Sequence, residues 1–321
     1  MLDDTRSDHD GRALVHGVLS GLTRSQKMLP AKLFYDEEGC RLFYQITELP
    51  EYYLTRVERS LLANVAPSVL AMFSSCPALV EYGASDETKA AYLFNHNNAS
   101  AIGAYVPIDV AMPALRKLRE HLAARHPTLP VYPIVSDFMK PVVLPHALAG
   151  LARLGFFPGS TIGNLDPTDA CHFLTLARTT LGEAAKFLVG VDLRKDPTVL
   201  LPAYDDAAGV TAAFNRNVLV RLNREAGANF DVNAFTHRAL WNDAQSRIEM
   251  HLVSRGKQTV QVGGHSIAFL RGETIHTENS YKHTPEGFVA VASRAGWQLR
   301  KMWTDDQQLF ALFLLQPCPA M

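Results

Sequence analysis

Between residues 77 and 191, short apolar runs alternate with amphipathic stretches. The runs at 77–83, 105–109, 131–135, 154–157 and 186–191 have the length and composition of buried strands. A helix is expected to open at 84–89, and others to span 112–124 and 168–180. Asp166 before Pro167 is a sound helix start, an N-cap acceptor followed by a residue with no N–H to leave unsatisfied. Strands alternating with helices predict a mostly parallel sheet covered on both faces. In a doubly wound order the first and fourth strands are neighbours, and a crevice opens between the turns that follow them. Those turns hold Gly83 and the stretch from Gly159 to Asn164.

Outside that region the pattern changes. Residues 38–47 read as a short helix, with Leu42, Phe43 and Ile46 apolar. Residues 58–73 read as a helix that Pro67 should bend or split. After residue 197 the alternation stops, and a helix is expected to run to about Glu225. Residues 247–253 and 258–270 alternate as strands, the second folded at Gly263-Gly264, a good hairpin turn. A helix at 286–295 and strands at 297–303 and 309–315 close the chain. The expected fold is therefore α/β, a Rossmann-like sheet with a second, discontinuous α+β unit. Residues 1–58 and 197–284 form the second unit, and 59–196 with 285–321 the first. Residues 1–11 are expected to be a loose polar tail.

Composition narrows the functional classes. Hydrophobic residues make up 47% of the 321, enough for a real core. The 31 basic and 32 acidic residues leave a net charge of −1, with no basic block, so nucleic acid and membrane are not expected as partners. The four cysteines have no CxxC spacing, which favours reduced thiols over a disulfide framework or zinc. The opening residues lack a signal-peptide stretch, and no apolar run reaches membrane-spanning length. A cytoplasmic location is the expectation. Oligomeric state is not readable.

The candidate chemistry lies at the strand ends. Asp109, closing the second strand, can accept both hydroxyls of a ribose. Asp137 can bind an adenine amino group while Phe138 covers the ring. The equally ordinary reading makes Asp109 a helix cap and Asp137 a turn residue. GxGxxG is absent, so little would cradle a pyrophosphate, and S-adenosylmethionine suits the Gly83 loop better than a dinucleotide does. Tyr35, Phe43, Tyr52 and Tyr53 are either pocket walls or core aromatics. In an extended segment Glu278 and Ser280 share a face. Side by side they can bind a small polar ring bearing N–H groups, or they can belong to a solvated edge strand. His276 and His283 have no matching ligand set, so no metal is expected.

Several motifs, in order, carry a resemblance. They are Phe34-Tyr35-Asp36, Leu49-Pro50-Glu51-Tyr52-Tyr53 with Thr55-Arg56, Gly159-Ser160-Thr161-Ile162-Gly163-Asn164, the stretch from Tyr204 to Asn215, Arg247-Ile248-Glu249-Met250, and Thr277-Glu278-Asn279-Ser280. Together they make the sequence similar to the histidine-specific Nα-methyltransferases of ergothioneine biosynthesis, over nearly the whole chain. The resemblance implies a class I methyltransferase domain, with the second unit binding the amino acid. It implies conversion of L-histidine to its trimethylated betaine, hercynine, with S-adenosylmethionine as methyl donor. By motif position, Tyr52, Asn164, Gly159 and Tyr204 would meet the substrate's amino and carboxylate groups, with Tyr52 and Asn164 orienting the reacting amine. Tyr35 and Phe43 would line the pocket, and Glu278, Ser280 and Met250 would hold the imidazole. Gly83, Lys89, Asp109, Asp137 and Phe138 would hold S-adenosylmethionine. The loop after the first strand departs from the family pattern. Ser85 stands where a second glycine is usual, and Asp86 and Glu87 replace small hydroxyl residues. Two alternatives follow: a histidine- or betaine-binding or regulatory protein without catalysis, or a methyltransferase of another aromatic amino acid.

Overall fold

The computed structural model describes residues 14–96 and 99–319; the expected tail at 1–11 lies outside them. The chain divides into two compact units. Unit 1 comprises residues 1–53 and 195–280, and unit 2 comprises 54–194 and 281–321. The sequence reading set the changeovers at 58, 196 and 284.

Unit 1 begins with helix α1 through residues 14–22, which the sequence pattern does not announce because Gly17 and Gly21 lower its helix propensity. Strand β1 (Lys27–Met28) and helix α2 (Glu37–Thr47) follow. Asp36 caps α2, accepting from the Gly39 amide at 2.8 Å. The same carboxylate accepts from Asn217 at 2.8 Å and Arg224 at 2.7 Å. Those contacts give the Phe34-Tyr35-Asp36 motif a structural job.

Unit 2 takes over within helix α3 (Tyr53–Leu70). Pro67 sits inside α3 without splitting it. Pro67 and Ala63 are both exposed, so water replaces the donor that the Ala63 carbonyl loses. Strand β2 (Ala78–Tyr82) comes next. The helix expected after β2 is instead a polar loop and a 3-10 turn at Ala90–Leu93. A two-residue ribbon, β3 (Asn95–His96) and β4 (Ala99–Ser100), leads to β5 (Ala104–Asp109) and helix α4 (Met112–Arg125). The expected strand at 131–135 shrinks to β6 (Ile134–Val135), with a lone bridge at Val131. Pro133 between them has no N–H for a ladder. Strand β7 (Arg153–Phe157), helix α5 (Pro167–Leu181) and strand β8 (Lys186–Asp192) complete the parallel half. Asp166 caps α5 as expected, accepting from Thr168 and Asp169 amides at 2.9 Å.

The chain then returns to unit 1. Helices α6 (Pro197–Tyr204) and α7 (Val210–Glu225) replace the single expected helix. Asp206 accepts from the amides of Val210 and Thr211, at 2.9 and 2.7 Å, where α7 starts. Strands β9 (Phe235–Asn242) and β10 (Arg247–Ser254) pair antiparallel over eight residues. The hairpin of β11 (Gln258–Val262) and β12 (His265–Phe269) turns on Gly263 and Gly264, both at positive φ, as the pattern foretells. Strand β13 (Thr274–Tyr281) lies between β1 and β10, in the sheet order β1-β13-β10-β9. It is therefore not a simple edge strand.

Helix α8 (Pro285–Arg294) and strands β14 (Trp297–Thr304) and β15 (Phe310–Pro317) finish unit 2. Its seven-stranded sheet has the order β14-β15-β8-β7-β2-β5-β6. Strands β8, β7, β2, β5 and β6 are parallel, while β15 runs antiparallel to β8 and β14. The first and fourth parallel strands, β2 and β7, pair directly, with Leu79 opposite Leu154. This is the doubly wound order, and its switch point lies between the turns after β2 and β7. The core beneath includes Val80, Val106, Phe157, Phe173, Phe187 and Trp297. Burying each such side chain contributes roughly 1.5–3 kcal/mol.

His283 is a weak point of unit 2 in acid. Its Nε2 is buried with no hydrogen-bond partner. Burial, followed by the nearby Lys282 ammonium, lowers its pKa from 6.5 to about 4. A depressed folded pKa means that the unfolded chain takes up the proton first. Stability is therefore full above pH 6.5 and is lost as the pH falls through 4, at a cost of about 3 kcal/mol. Thermal melts of the wild type should show a midpoint falling across this window. The H283Q variant should lose part of that dependence, and an unchanged slope would reject the assignment.

Candidate functional site

In unit 1, six of the seven candidate residues fall into one connected region. Tyr35 meets Phe43 edge-on at 6.1 Å between ring centroids, and Phe43 meets Tyr52 at 6.3 Å. Tyr52 meets Tyr204 at 6.3 Å, and the Tyr204 hydroxyl hydrogen-bonds the Ser280 hydroxyl at 2.8 Å. Glu278 shares the strand face of Ser280, two residues away on β13. Tyr35 is 39% exposed and Phe43 half-buried, whereas Tyr52 and Tyr204 are buried. The aromatic chain thus runs from solvent to the Glu278–Ser280 face. Met250 is buried on β10, and its carbonyl accepts from the Thr277 hydroxyl at 3.0 Å. That bond ties it to β13, the strand that carries Glu278 and Ser280.

Three further residues support this region, and only His237 lacks a sequence signal. Phe214 packs on Phe34, Tyr35 and Phe43. Asn215 donates to His237 Nδ1 at 2.8 Å, which leaves Nε2–H of that ring to donate to the Tyr204 carbonyl, also at 2.8 Å. Burial holds the His237 pKa below its usual value and favours this neutral form. Phe214 and Asn215 belong to the conspicuous stretch from Tyr204, but His237 lies twenty-two residues beyond Asn215 and nothing local marks it.

Beside them sits a cluster that the sequence reading did not anticipate. Glu249, His251 and His276 bring ligand-capable atoms within 4.8 Å of one another. Its charge is already balanced by Arg247, which donates to Glu249 at 2.8 and 2.6 Å, with Asn242 donating at 2.8 Å. His251 donates to the other carboxylate oxygen at 3.0 Å. Burial alone would raise the Glu249 pKa, yet these hydrogen bonds bring it down to about 2. A guanidinium fills the cation's role here. The stacked rings of His251 and His276 end on the Glu278 carbonyl, which accepts from His276 at 3.1 Å. The cluster braces the backbone that carries Glu278.

In unit 2, the other candidates line the carboxyl ends of four adjacent strands, β7, β2, β5 and β6. Gly83, after β2, has φ +74°. A Cβ there would meet no atom nearer than Phe138 Cε1 at 3.9 Å, so an open cradle rimmed by that ring stands above it. Phe138 is backed by Phe157 and Phe173. Asp109 Oδ1 accepts from the Ala111 amide at 2.7 Å, and burial raises its pKa. Asp137 Oδ1 accepts from the Met139 amide at 2.9 Å. Asp137 therefore performs the turn role of the ordinary reading, whereas Asp109 closes a turn ahead of α4, whose N-cap position is Ala111 with no side-chain cap, so it is not the helix cap. A glycine cradle, an aromatic lid and two carboxylates fit a nucleoside such as that of S-adenosylmethionine.

The departures in the Gly83 loop cause no distortion. Positive φ among described non-glycine residues occurs only at Ser160, Ser246 and Gln308, so Ser85 needs no glycine conformation. Asp86 accepts from the Thr88 amide at 2.7 Å, and Glu87 faces Arg125 at 3.7 Å. Both acids are engaged by the loop's own neighbours.

After β7, Gly159 and Ser160 both take left-handed backbone conformations, φ +79° and +56°. For Ser160 this costs roughly 1–2 kcal/mol. Its hydroxyl accepts from the Asp192 amide at 2.9 Å, which holds the turn against β8. Gly163 is required, because a Cβ would lie 2.7 Å from the Tyr281 carbonyl oxygen. Asn164 ends the 3-10 turn Thr161–Asn164, half-buried. Lys89 is not an unengaged cation: its ammonium pairs with Glu58 at 2.7 Å.

Comparison with known proteins shows the family. The family model "histidine-specific methyltransferase, SAM-dependent" matches residues 14–317. A histidine N-alpha-methyltransferase of Mycolicibacterium smegmatis is 41% identical over 96% of both chains. One from Mycobacterium tuberculosis is 40% identical over 94% of both. Among solved structures, an S-adenosylmethionine-dependent methyltransferase from Clostridium acetobutylicum superposes with a TM-score of 0.53 at 9% identity, covering 87% of this chain and 99% of that one. It supports the Rossmann-like methyltransferase fold alone. The chain belongs to the S-adenosylmethionine-dependent, histidine-specific methyltransferase family.

Proposed function

We propose that the protein methylates the α-amine of L-histidine three times with S-adenosylmethionine, giving hercynine for ergothioneine biosynthesis. One observation carries the reading: the aromatic chain from Tyr35 to Tyr204 ends in a hydrogen bond to Ser280, on the β13 face that also bears Glu278. A carboxylate and a hydroxyl there suit the two nitrogens of an imidazole, one donating and one accepting. A larger aromatic ring without that pattern would forgo both hydrogen bonds.

S-adenosylmethionine supplies an electrophilic methyl group on a sulfonium. Gly83, Asp109, Asp137 and Phe138 would hold its nucleoside, with Lys89 on its carboxylate. Unit 1 holds the imidazole by Glu278, Ser280 and Met250, and lines the pocket with Tyr35 and Phe43. Tyr52 and Asn164 take the role their motifs imply and orient the α-amine. By motif position Tyr204 would meet the amino acid's carboxylate and amine, and Gly159, whose amide Glu58 holds, would meet the amine through its carbonyl. The α-ammonium must lose a proton before it can act as nucleophile, and Tyr52 or water passes that proton out. No strong base is needed, because displacement at a sulfonium is limited by alignment and desolvation. Successive products keep a cationic nitrogen, which the faces of Tyr52 and Tyr204 tolerate.

The substrate is a small molecule, neither nucleic acid nor lipid. No described helix is long and apolar enough to cross a membrane, and the four cysteines are free thiols. We place the reaction in the cytoplasm. The test is the site of methylation. With ¹³C-methyl-labelled S-adenosylmethionine and L-histidine, NMR should show the label coupled to the α-carbon position. Label on an imidazole nitrogen would overturn the reading.

A further inference from the structure

We propose that Glu58 is a positioning residue that fixes the Gly159 turn and the Lys89 ammonium at the carboxyl edge of unit 2. Part of the consequence rests on the proposed role of Lys89 toward S-adenosylmethionine. Glu58 lies one turn into the unit 2 part of α3 and is fully buried. Both of its carboxylate oxygens accept from the Gly159 amide, at 2.8 and 3.0 Å. Lys89 pairs with Oε2 at 2.7 Å, its side chain 22% exposed. The space for this carboxylate is created on purpose by a third element. Gly190 lies within β8, and a Cβ there would sit 2.2 Å from Glu58 Oε1.

A buried carboxylate persists only when its charge is compensated, and here the compensation comes from one ammonium and one peptide N–H. The result is a three-way junction. It joins α3, the loop after β2 and the turn after β7, so two of the three converge from opposite sides of the switch point. The Gly159 turn needs such an anchor because Gly159 and Ser160 are both left-handed. The Lys89 ammonium has three donors, and Glu58 takes one in a fixed direction. The others keep a constant orientation for an anionic group. Gly159 cannot offer its amide to a ligand, since Glu58 occupies it.

The test uses E58Q, K89M and the double variant in the full-length protein. Gln keeps an acceptor for Gly159 but ends the ion pair. Two readouts are taken: hydrogen exchange of the 157–165 segment without ligand, and S-adenosylmethionine affinity with kcat and KM. We expect E58Q to speed exchange in that segment about tenfold and to weaken S-adenosylmethionine binding about tenfold, while the KM for histidine changes less than threefold. The double variant should be no worse than the poorer single one, because both act through one junction. Exchange and cofactor affinity within twofold of wild type would overturn the inference. So would a lower melting temperature with normal cofactor affinity and kcat, which marks a merely structural residue. If wild type methylates no histidine yet E58Q still loosens the turn, the substrate reading fails and the positioning role stands.

Discussion

Glu278→Ala should weaken L-histidine binding about 10- to 100-fold and leave S-adenosylmethionine affinity within about twofold. The magnitude follows from losing a charge-assisted hydrogen bond to the imidazole, worth about 1.5–3 kcal/mol. The asymmetry follows from the fold. Glu278 belongs to β13 in unit 1, whereas Gly83, Asp109 and Phe138 belong to unit 2. Selectivity should fall further than affinity. Against phenylalanine, which offers no N–H to Glu278, the preference for histidine should shrink by about the same factor. Calorimetry with each ligand is the check. Equal losses for both would mean that the substitution damages the fold, and no loss would remove Glu278 from the imidazole.

The second large effect is expected at Asp109. Asp109→Ala should raise the S-adenosylmethionine dissociation constant about 100-fold, because two hydroxyl partners lose a common carboxylate. Burial raises the pKa of this group, so its anion is costly without such partners. D109N separates two roles. It keeps an acceptor for the Ala111 amide, 2.7 Å away in the wild type, but removes the charge. If ribose binding is the role, D109N should lose most of the affinity while keeping the wild-type melting temperature. If the turn bond to Ala111 is the whole role, D109N should bind normally.

The mostly parallel sheet was legible because most of its strands are compact apolar runs bounded by turns; the doubly wound order itself entered only as a condition, since strand pairing leaves no local mark. The hairpin at Gly263-Gly264 was legible because two positive φ angles in succession demand such residues. Other elements were not. The loop after β2 has helix-compatible residues, but Asp86 captures the Thr88 amide and bends the chain instead. Pro133 cuts β6 short, and the exposure of Ala63 and Pro67 lets α3 continue. Motif positions named the candidate residues but hid their supports. Glu58 meets Gly159 across 101 positions of sequence, and His237 reaches Tyr204 from β9. Neither has a periodic or spaced neighbour to betray it. His251 shares a strand face with Glu249, but His276 joins them only when β13 lies beside β10.

The most direct measurement is mass spectrometry of a mixture of the protein, L-histidine and S-adenosylmethionine. The account predicts products heavier by one, two and then three methyl groups, with the trimethylated species accumulating. It also predicts that the loop bearing Ser85, Asp86 and Glu87 supports this turnover. Unmodified histidine after prolonged incubation, with both ligands shown to bind by calorimetry, would contradict it.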